Sequence, residues 1–213
     1  MTTETMTVHQ ALAELKMLQH RTVSAITKRS WVVTNKHSNT KLGGMPVADF
    51  AAEMKSDYQS VTDLIKRREA IKRAVVNSNA VTKVVIGSEE YTVAEAIDMK
   101  GVGMEILRDL LRRLASDYRM AKSSADSANG SDLEARADAH IQNMFGKTDI
   151  KGATEDVKRA REEFIKAQTV ELVDPIRIAD EIATLEKRIN DFTVNVDAAL
   201  SVSNALTKIT VEY

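Results

Sequence analysis

Basic side chains at helical spacing are the residues of this sequence that are best suited to chemistry. One stretch contains Lys66, Arg67 and Arg73, and a second contains Arg108 and Arg112. Ammonium and guanidinium groups bind phosphate and carboxylate oxygens, the guanidinium through two parallel hydrogen bonds. An anion-binding surface forms if the two stretches meet. Together with two lysines near predicted strands, the predicted ligand-binding residues are Lys66, Arg67, Arg73, Lys83, Arg108, Arg112 and Lys208.

The same stretches also fit a second interpretation, in which they are solvated helix faces. Acidic residues lie three or four positions from many of the basic ones, as Asp63, Glu69, Glu105 and Asp109 do. Pairs at this spacing neutralise each other on the surface of a helix. The sequence leaves both interpretations open.

Other motifs do not meet the requirements of a catalytic or metal site. Gly146-Lys147-Thr148 resembles the end of a phosphate-binding loop, but Ile141 stands where that loop needs its first glycine. A calcium loop aligned on Gly130 would place Ala125 at the first ligand position and Arg136 in place of the bidentate glutamate. The four histidines are scattered. We predict no catalytic residue, no metal site and no cofactor, and therefore a protein that is not an enzyme.

Composition narrows the class of protein and its partners. The 213 residues carry a formal net charge of −1, which gives no global basic field for nucleic acid or an anionic membrane. Cysteine is absent and aromatic residues make up only 4% of the chain. No apolar stretch reaches the ~18 residues that span a bilayer. We expect a soluble cytoplasmic protein (host cytoplasm if viral) with no membrane or nucleic-acid partner.

Apolar periodicity predicts a mainly α fold. The first predicted helix covers Val8–Ile26, and the second begins after Pro46 and ends near Asn77–Asn79. Thr92 and Glu95 match a capping box, so a third helix begins there and runs to Tyr118. Gly101 and Gly103 within it are expected to mark a kink or a close approach of another segment. Further helices are predicted over Asp132–Phe145, through Val157–Ala167, and from Asp174-Pro175 to Ala199.

Short strands and loops connect these helices. We predict strands at Ser30–Thr34, Val81–Ile86 and Glu90–Tyr91, where β-branched and aromatic residues cluster. A small sheet is expected from the strands near Trp31, Val84 and Ile209. Ser123–Gly130 is predicted to be a loop or hinge, because it is rich in Ser, Ala, Asp and Asn.

The last helix has an apolar seam typical of coiled coils. Apolar residues alternate at spacings of four and three along it. A narrow seam needs a facing helix, which is another helix of this chain or the same helix of a second copy. The seam consists of Ile178, Ile182, Leu185, Ile189, Phe192, Val196 and Ala199.

One heptapeptide occurs twice with small changes. Ser78–Val84 and Ser203–Ile209 both read Ser-Asn-Ala-x-Thr-Lys followed by a β-branched residue. Each copy ends a long helix and begins a strand, so we expect Asn79 and Asn204 to cap helices. The pattern also allows the two turns to form the walls of a ligand pocket.

The central block contains the motifs Asn79-Ala80-x-Thr82-Lys83-Val84 and Thr92-x-x-Glu95-Ala96-Ile97, and an Asn-x-x-Thr strand follows the final helix. In these motifs and their order the chain resembles the septicolysin-like family of small helical proteins. The overall layout is also similar to that of uncharacterised proteins of large tailed bacteriophages. The resemblance implies a helical, self-associating protein without an established enzymatic role, and it carries over no catalytic residue to this sequence.

We therefore expect one helical domain over 1–213, made of long antiparallel helices in a bundle with a small β-sheet or hairpin at one end. The segment 123–169 is expected to be an insertion or hinge. The first functional hypothesis is a non-enzymatic homo-oligomer that binds a small anionic nucleotide signal, as a phage anti-defence protein would do by sequestration. The alternative is a structural or assembly protein of a phage that acts only through protein–protein contacts.

Overall fold

The structure, a computed structural model, describes residues 2–28, 30–146 and 154–213. Seven α-helices and six short strands occur in this part of the chain. In chain order they are β1 (Thr3–Thr7), α1 (Val8–Thr27), β2 (Lys41–Leu42), β3 (Met45–Pro46), α2 (Val47–Val81), β4 (Lys83–Ile86), β5 (Glu89–Thr92), α3 (Val93–Asp98), α4 (Met104–Ala128), α5 (Ser131–Phe145), α6 (Glu155–Gln168), α7 (Ile178–Leu206) and β6 (Lys208–Glu212). The prediction of a mainly α fold with small β-hairpins is confirmed.

The chain divides into two compact units. The first contains Met1–Gly103 and Asp191–Tyr213, and the second contains Met104–Asn190. All six strands, the helices α1 to α3 and the C-terminal part of α7 belong to the first unit. The second unit contains α4, α5, α6 and the N-terminal part of α7. The single domain over 1–213 stays a prediction.

The core of the first unit joins the terminal strands to the helices α1 and α2. Val8 and Leu18 of α1, Ile71 of α2 and Val211 of β6 are at most 2% exposed. The inner faces of β1 and β6 add Met6 and Ile209. Burying a side chain of this size contributes about 1.5–3 kcal/mol, so this cluster fixes both ends of the chain against α2.

The second unit contains the predicted helices on either side of Gly146. Leu133, Ala137 and Ile141 form the buried stripe of α5, and Val157 is buried on α6. His140 stacks on Phe164 of α6 with ring centroids 4.4 Å apart. Helices α5 and α6 therefore pack on each other, and they make up most of the segment expected to be an insertion.

The strands form three separate two-stranded sheets, which corrects the predicted single sheet. The terminal strands β1 and β6 pair with each other, β2 pairs with β3, and β4 pairs with β5. Residues 30–34 form no strand. Trp31 folds back on α1 and α2 instead: its Nε1 donates to the Ile26 carbonyl oxygen at 3.1 Å, and its ring meets Tyr58 edge-on. A β-branched run forms a strand only beside a partner strand, and no strand among the described residues pairs with this run.

Two other boundary predictions were wrong. Ser123–Gly130 is not a loop, since α4 continues to Ala128 and Ala125 is buried. The last helix begins at Ile178 rather than at Pro175, although the Asp174 carboxylate still accepts a hydrogen bond from the Ile178 amide at 2.9 Å. Residues 147–152 of the predicted breaker Gly146–Gly152 lie outside the described residues.

The twin heptapeptides fold identically but do not cap through asparagine. Both helices continue two residues past the asparagine, and in each the Thr amide bonds to the Ser carbonyl oxygen at 2.9 Å (Thr82 to Ser78, Thr207 to Ser203). The carbonyl oxygens of the two threonines then accept hydrogen bonds from Val93 and Val8, the first residues of α3 and α1. The same local structure is therefore built twice.

The similarity extends to the partner strand and the next helix. Thr7-Val8-His9-Gln10-Ala11 corresponds to Thr92-Val93-Ala94-Glu95-Ala96. Both segments begin a helix with a complete capping box, in which the Thr hydroxyl and the Gln or Glu side chain bond reciprocally to backbone amides. The repeated unit is thus helix, strand pair and capped helix. In one copy the strands are joined through Gly87, and in the other they come from distant parts of the sequence.

A π-helical turn over Met99–Gly103 separates α3 from α4. Gly101 and Gly103, which were predicted to mark a kink or a close approach, both lie in this turn, and a Cβ at Gly103 would clash with the Met99 sulfur. A π-turn holds one more residue than an α-turn. Met104 rather than Gly103 thereby corresponds to Leu18 of α1, and both side chains are buried.

Candidate functional site

Both twin turns line one groove in the first unit, as the sequence allowed. The groove has a volume of about 730 Å³. One wall is the consecutive run Thr82–Val85 with Gly87, and the other is a face of α7. That face is formed by Asn195, Ala198, Ala199, Val202, Ser203, Leu206 and the adjoining Thr207.

The two walls differ in how they present their groups. Consecutive residues from β4 line the groove, which is the pattern of a strand edge, because a strand face would present every second residue. On α7 the residues recur every three or four positions, which is the pattern of one helix face. The groove therefore lies between the open edge of β4 and the side of α7.

The chemistry of this groove is mainly apolar. Hydroxyl groups come from Thr82, Ser203 and Thr207, and the one charged residue among its lining residues is Lys83. The Lys83 ammonium donates to Glu90 at 2.7 Å, and this contact raises the pKa of Lys83 above its ordinary value. The charge of Lys83 is thus already partly neutralised by its neighbour on β5.

Arg67 lies at the centre of a second cluster, which we name the terminal clamp and which consists of Arg67, Glu4, Glu14 and Tyr213. Its Nε donates to Glu14 at 2.5 Å and its Nη2 to Glu4 at 2.9 Å. The Arg67 guanidinium also lies 4.6 Å from the centre of the Tyr213 ring and bonds to the Tyr213 hydroxyl. One side chain of α2 thus connects β1, α1 and the last residue of the chain.

This arrangement stabilises the charged form of Arg67. Its pKa is raised above the ordinary value, first through the hydrogen bond to Glu14 and then through Glu4, against the opposing effect of burial. Arg67, one of the seven predicted ligand-binding residues, is therefore already paired with two carboxylates.

The other predicted basic residues are dispersed over the two units. Lys66, Arg73 and Lys208 are exposed in the first unit. In the second unit Arg112 pairs with Asp109, and both line a depression of about 490 Å³ together with Arg108, Glu105 and Leu111. The structure thus brings Arg108 and Arg112 together, and it brings only Lys83 of the seven to the groove.

Neither a metal site nor a membrane span appears among the described residues. No group of three or more His, Asp or Glu side chains is arranged to hold a metal ion there. No helix in those ranges is long and apolar enough to cross a bilayer.

Sequence reasoning missed β1, and with it the terminal clamp. The strand Thr3–Thr7 contains three threonines and one methionine, which carry little apolar signal. The sequence does contain one signal for this strand, which is the similarity of Thr7–Ala11 to Thr92–Ala96 at the capped start of α3. That match implies a strand before Val8 that pairs with the strand after the second heptapeptide.

Comparison of the chain with protein-family models, with curated proteins and with solved structures finds no match. The resemblance to the septicolysin-like family stays a prediction.

Proposed function

We propose that this chain is a non-enzymatic protein that works as a homo-oligomer through protein–protein contacts. The observation that carries the proposal is the set of large apolar side chains that are exposed within each unit. In the first unit, Met17, Val23 and Ile26 of α1 are 49%, 57% and 42% exposed.

The nature of the exposed surface supports the same proposal. Among the described residues, exposed large hydrophobic side chains outnumber buried ones. In the second unit, Ile106, Leu110 and Met120 of α4 are 62%, 46% and 59% exposed. Large apolar side chains that are exposed in both units offer surface that a partner chain can cover.

The seam of α7 contributes to this surface. Only Phe192 and Val196 of its seven residues are buried, while the other five remain partly accessible to solvent. Covering this apolar area with a second copy would stabilise the assembly by about 25 cal/mol for each Å² that is removed from water. The sequence leaves open whether the seam faces a helix of the same chain or of a second copy. We propose that a second copy covers at least part of it.

A second candidate function is capture of a small anionic ligand such as a nucleotide. It is favoured by Arg108 and Arg112, which line one depression, and opposed by Glu105 and Asp109, which line it too. In this form the oligomer would sequester a nucleotide signal, as we hypothesised for a phage anti-defence protein. The first candidate, an oligomer that acts only through protein–protein contacts, is favoured by the apolar character of the exposed surface.

Native mass spectrometry distinguishes the two candidates. The purified chain is measured alone and with a panel of mono-, di- and cyclic nucleotides. We expect a multiple of 23.6 kDa without added ligand. A nucleotide adduct that is lost in Arg108→Ala/Arg112→Ala, but kept in the control Arg113→Ala, would establish the second candidate. A monomer at every concentration would contradict the oligomer itself.

A further inference from the structure

The open edge of β4 is an unpaired strand edge beside an apolar groove. Among the described residues β4 pairs with β5 alone. The Val93 amide bonds to the Thr82 carbonyl oxygen at 2.8 Å, and Val84 lies opposite Tyr91. Because antiparallel ladders use alternate residues, Lys83 and Val85 direct their backbone N–H and C=O groups away from β5.

Strand β6, which is the equivalent strand of the other repeated unit, has a polar outer edge. The β6 residues whose backbone N–H and C=O groups point away from β1 are Lys208, Thr210 and Glu212, all polar or charged. Polar and charged side chains on an edge discourage another strand from pairing there. At the position of Thr210, β4 has Val85, which is 64% exposed.

The surroundings of β4 are apolar as well. Val81, Val202 and Leu206 are 75%, 58% and 74% exposed. Val202 and Leu206 line the groove and remain this accessible to solvent. The helical wall from Asn195 to Leu206 extends about 16 Å at 1.5 Å per residue. A four-residue strand extends about 13 Å, so a strand of the length of β4 fits along this wall.

We propose that the β4 edges of two copies of this chain pair antiparallel about a twofold axis and form a four-stranded sheet in the order β5–β4–β4–β5. With the axis at Val84, Lys83 of each copy lies opposite Val85 of the other, so no two like charges face each other. A twofold contact uses the same surface on both copies, which a self-complementary strand allows. This inference rests on the proposed homo-oligomer and names its interface.

Proline substitution tests the pairing without breaking the hairpin. In Val85→Pro the lost N–H is one that points away from β5, a position at which an edge strand tolerates proline. The matched control is Thr210→Pro, at the equivalent position of β6. We expect Val85→Pro to raise the concentration at which half the chains are dissociated by at least about tenfold, as a loss of 1.4 kcal/mol does. Thr210→Pro should leave that concentration unchanged.

A second variant keeps the test valid if Val85→Pro does not fold. Val85→Lys places a charge on the edge and should weaken assembly to a similar degree, with circular dichroism as the check of folding. Hydrogen exchange of the wild type should show protection of the Lys83 and Val85 amides that increases with protein concentration.

The outcomes separate this inference from the function on which it rests. A wild-type chain that is monomeric throughout would overturn both. A wild-type oligomer whose assembly is unchanged in both Val85 variants would overturn the β4 pairing alone, and the edge would then be available to a strand of a different protein.

Discussion

Removal of the Arg67 side chain should loosen both ends of the chain at once. In Arg67→Ala, Glu14 of α1 loses its ion-pair partner while its side chain is only 18% exposed. Breaking a fully buried pair costs about 3–5 kcal/mol and an exposed pair at most about 1 kcal/mol. For this partly buried pair we expect about 2 kcal/mol, and loss of the contact with the Tyr213 ring adds about 0.5 kcal/mol.

The expected destabilisation is therefore about 2.5 kcal/mol. For a chain of this length each kcal/mol lowers the melting temperature by about 2–4 °C, so the variant should melt roughly 5–10 °C below the wild type. Differential scanning calorimetry at fixed protein concentration measures the change. Arg68→Ala is the matched control, since Arg68 is the exposed neighbour on the same helix, and its change should stay within about 0.5 kcal/mol.

The effect of pH on this prediction follows from the raised pKa of Arg67. A group whose folded-state pKa is raised contributes its full stabilisation below its ordinary pKa and loses it only as the pH rises through the raised value. Since the ordinary pKa of arginine already lies far above pH 9, the destabilisation should be the same at pH 6 and pH 9. A change within 0.5 kcal/mol of the wild type would refute the terminal clamp, and it would return Arg67 to the set of candidate ligand residues.

Three further predictions concern the repeated units. The pKa of Glu95 is lowered, mainly by the hydrogen bond from the Thr92 amide, so Glu95 should stabilise the fold near pH 7 and lose this effect as the pH falls through the lowered pKa. Glu95→Gln, which copies Gln10 of α1, should remove this pH dependence of the free energy of unfolding, as measured by urea denaturation. Gly87→Ala should cost about 1–2 kcal/mol, because φ is +64° and the new Cβ would lie 3.3 Å from Asp191, whereas Gly101→Ala should be neutral or stabilising. Phe192→Ala should cost about 3–5 kcal/mol in chemical denaturation, since the ring is 3% exposed and packs edge-on against Tyr91.

The existence of the long helices could be predicted because they have local signals, although the end of α4 and the start of α7 were misplaced. The capping box at Thr92 and Glu95 marks the start of α3 through groups only three residues apart. The start of α1 near Val8 and the hairpin of β4 and β5 were predicted in the same way. These elements depend on neighbours in sequence, which a single sequence displays.

The pairing of strands could not be predicted, because it depends on distant segments. Strand β6 pairs with β1, about 200 positions away, and β1 has almost no apolar pattern of its own. The run around Trp31 has a stronger β signal, yet residues 30–34 form no strand and pair with none of the described strands. Intrinsic strand preference is weak compared with the availability of a partner.

The candidate site could be predicted only in part, for a similar reason. The spacing of the twin heptapeptides indicated two equivalent turns, and the structure places both at one groove. Residue type alone did not show that Arg67 is paired with Glu4 and Glu14, which lie 63 and 53 positions away. A basic residue can serve a ligand or the fold, and only long-range contacts distinguish the two.

The mass of the purified wild-type chain in solution tests the central proposal most directly. Size-exclusion chromatography with light scattering should give a multiple of 23.6 kDa that falls toward a single chain only on strong dilution. An even number of chains is expected, because the β4 contact joins copies in pairs. A mass of 23.6 kDa that does not change up to high micromolar concentration would contradict the account, and the exposed apolar surface would then require a partner other than this chain.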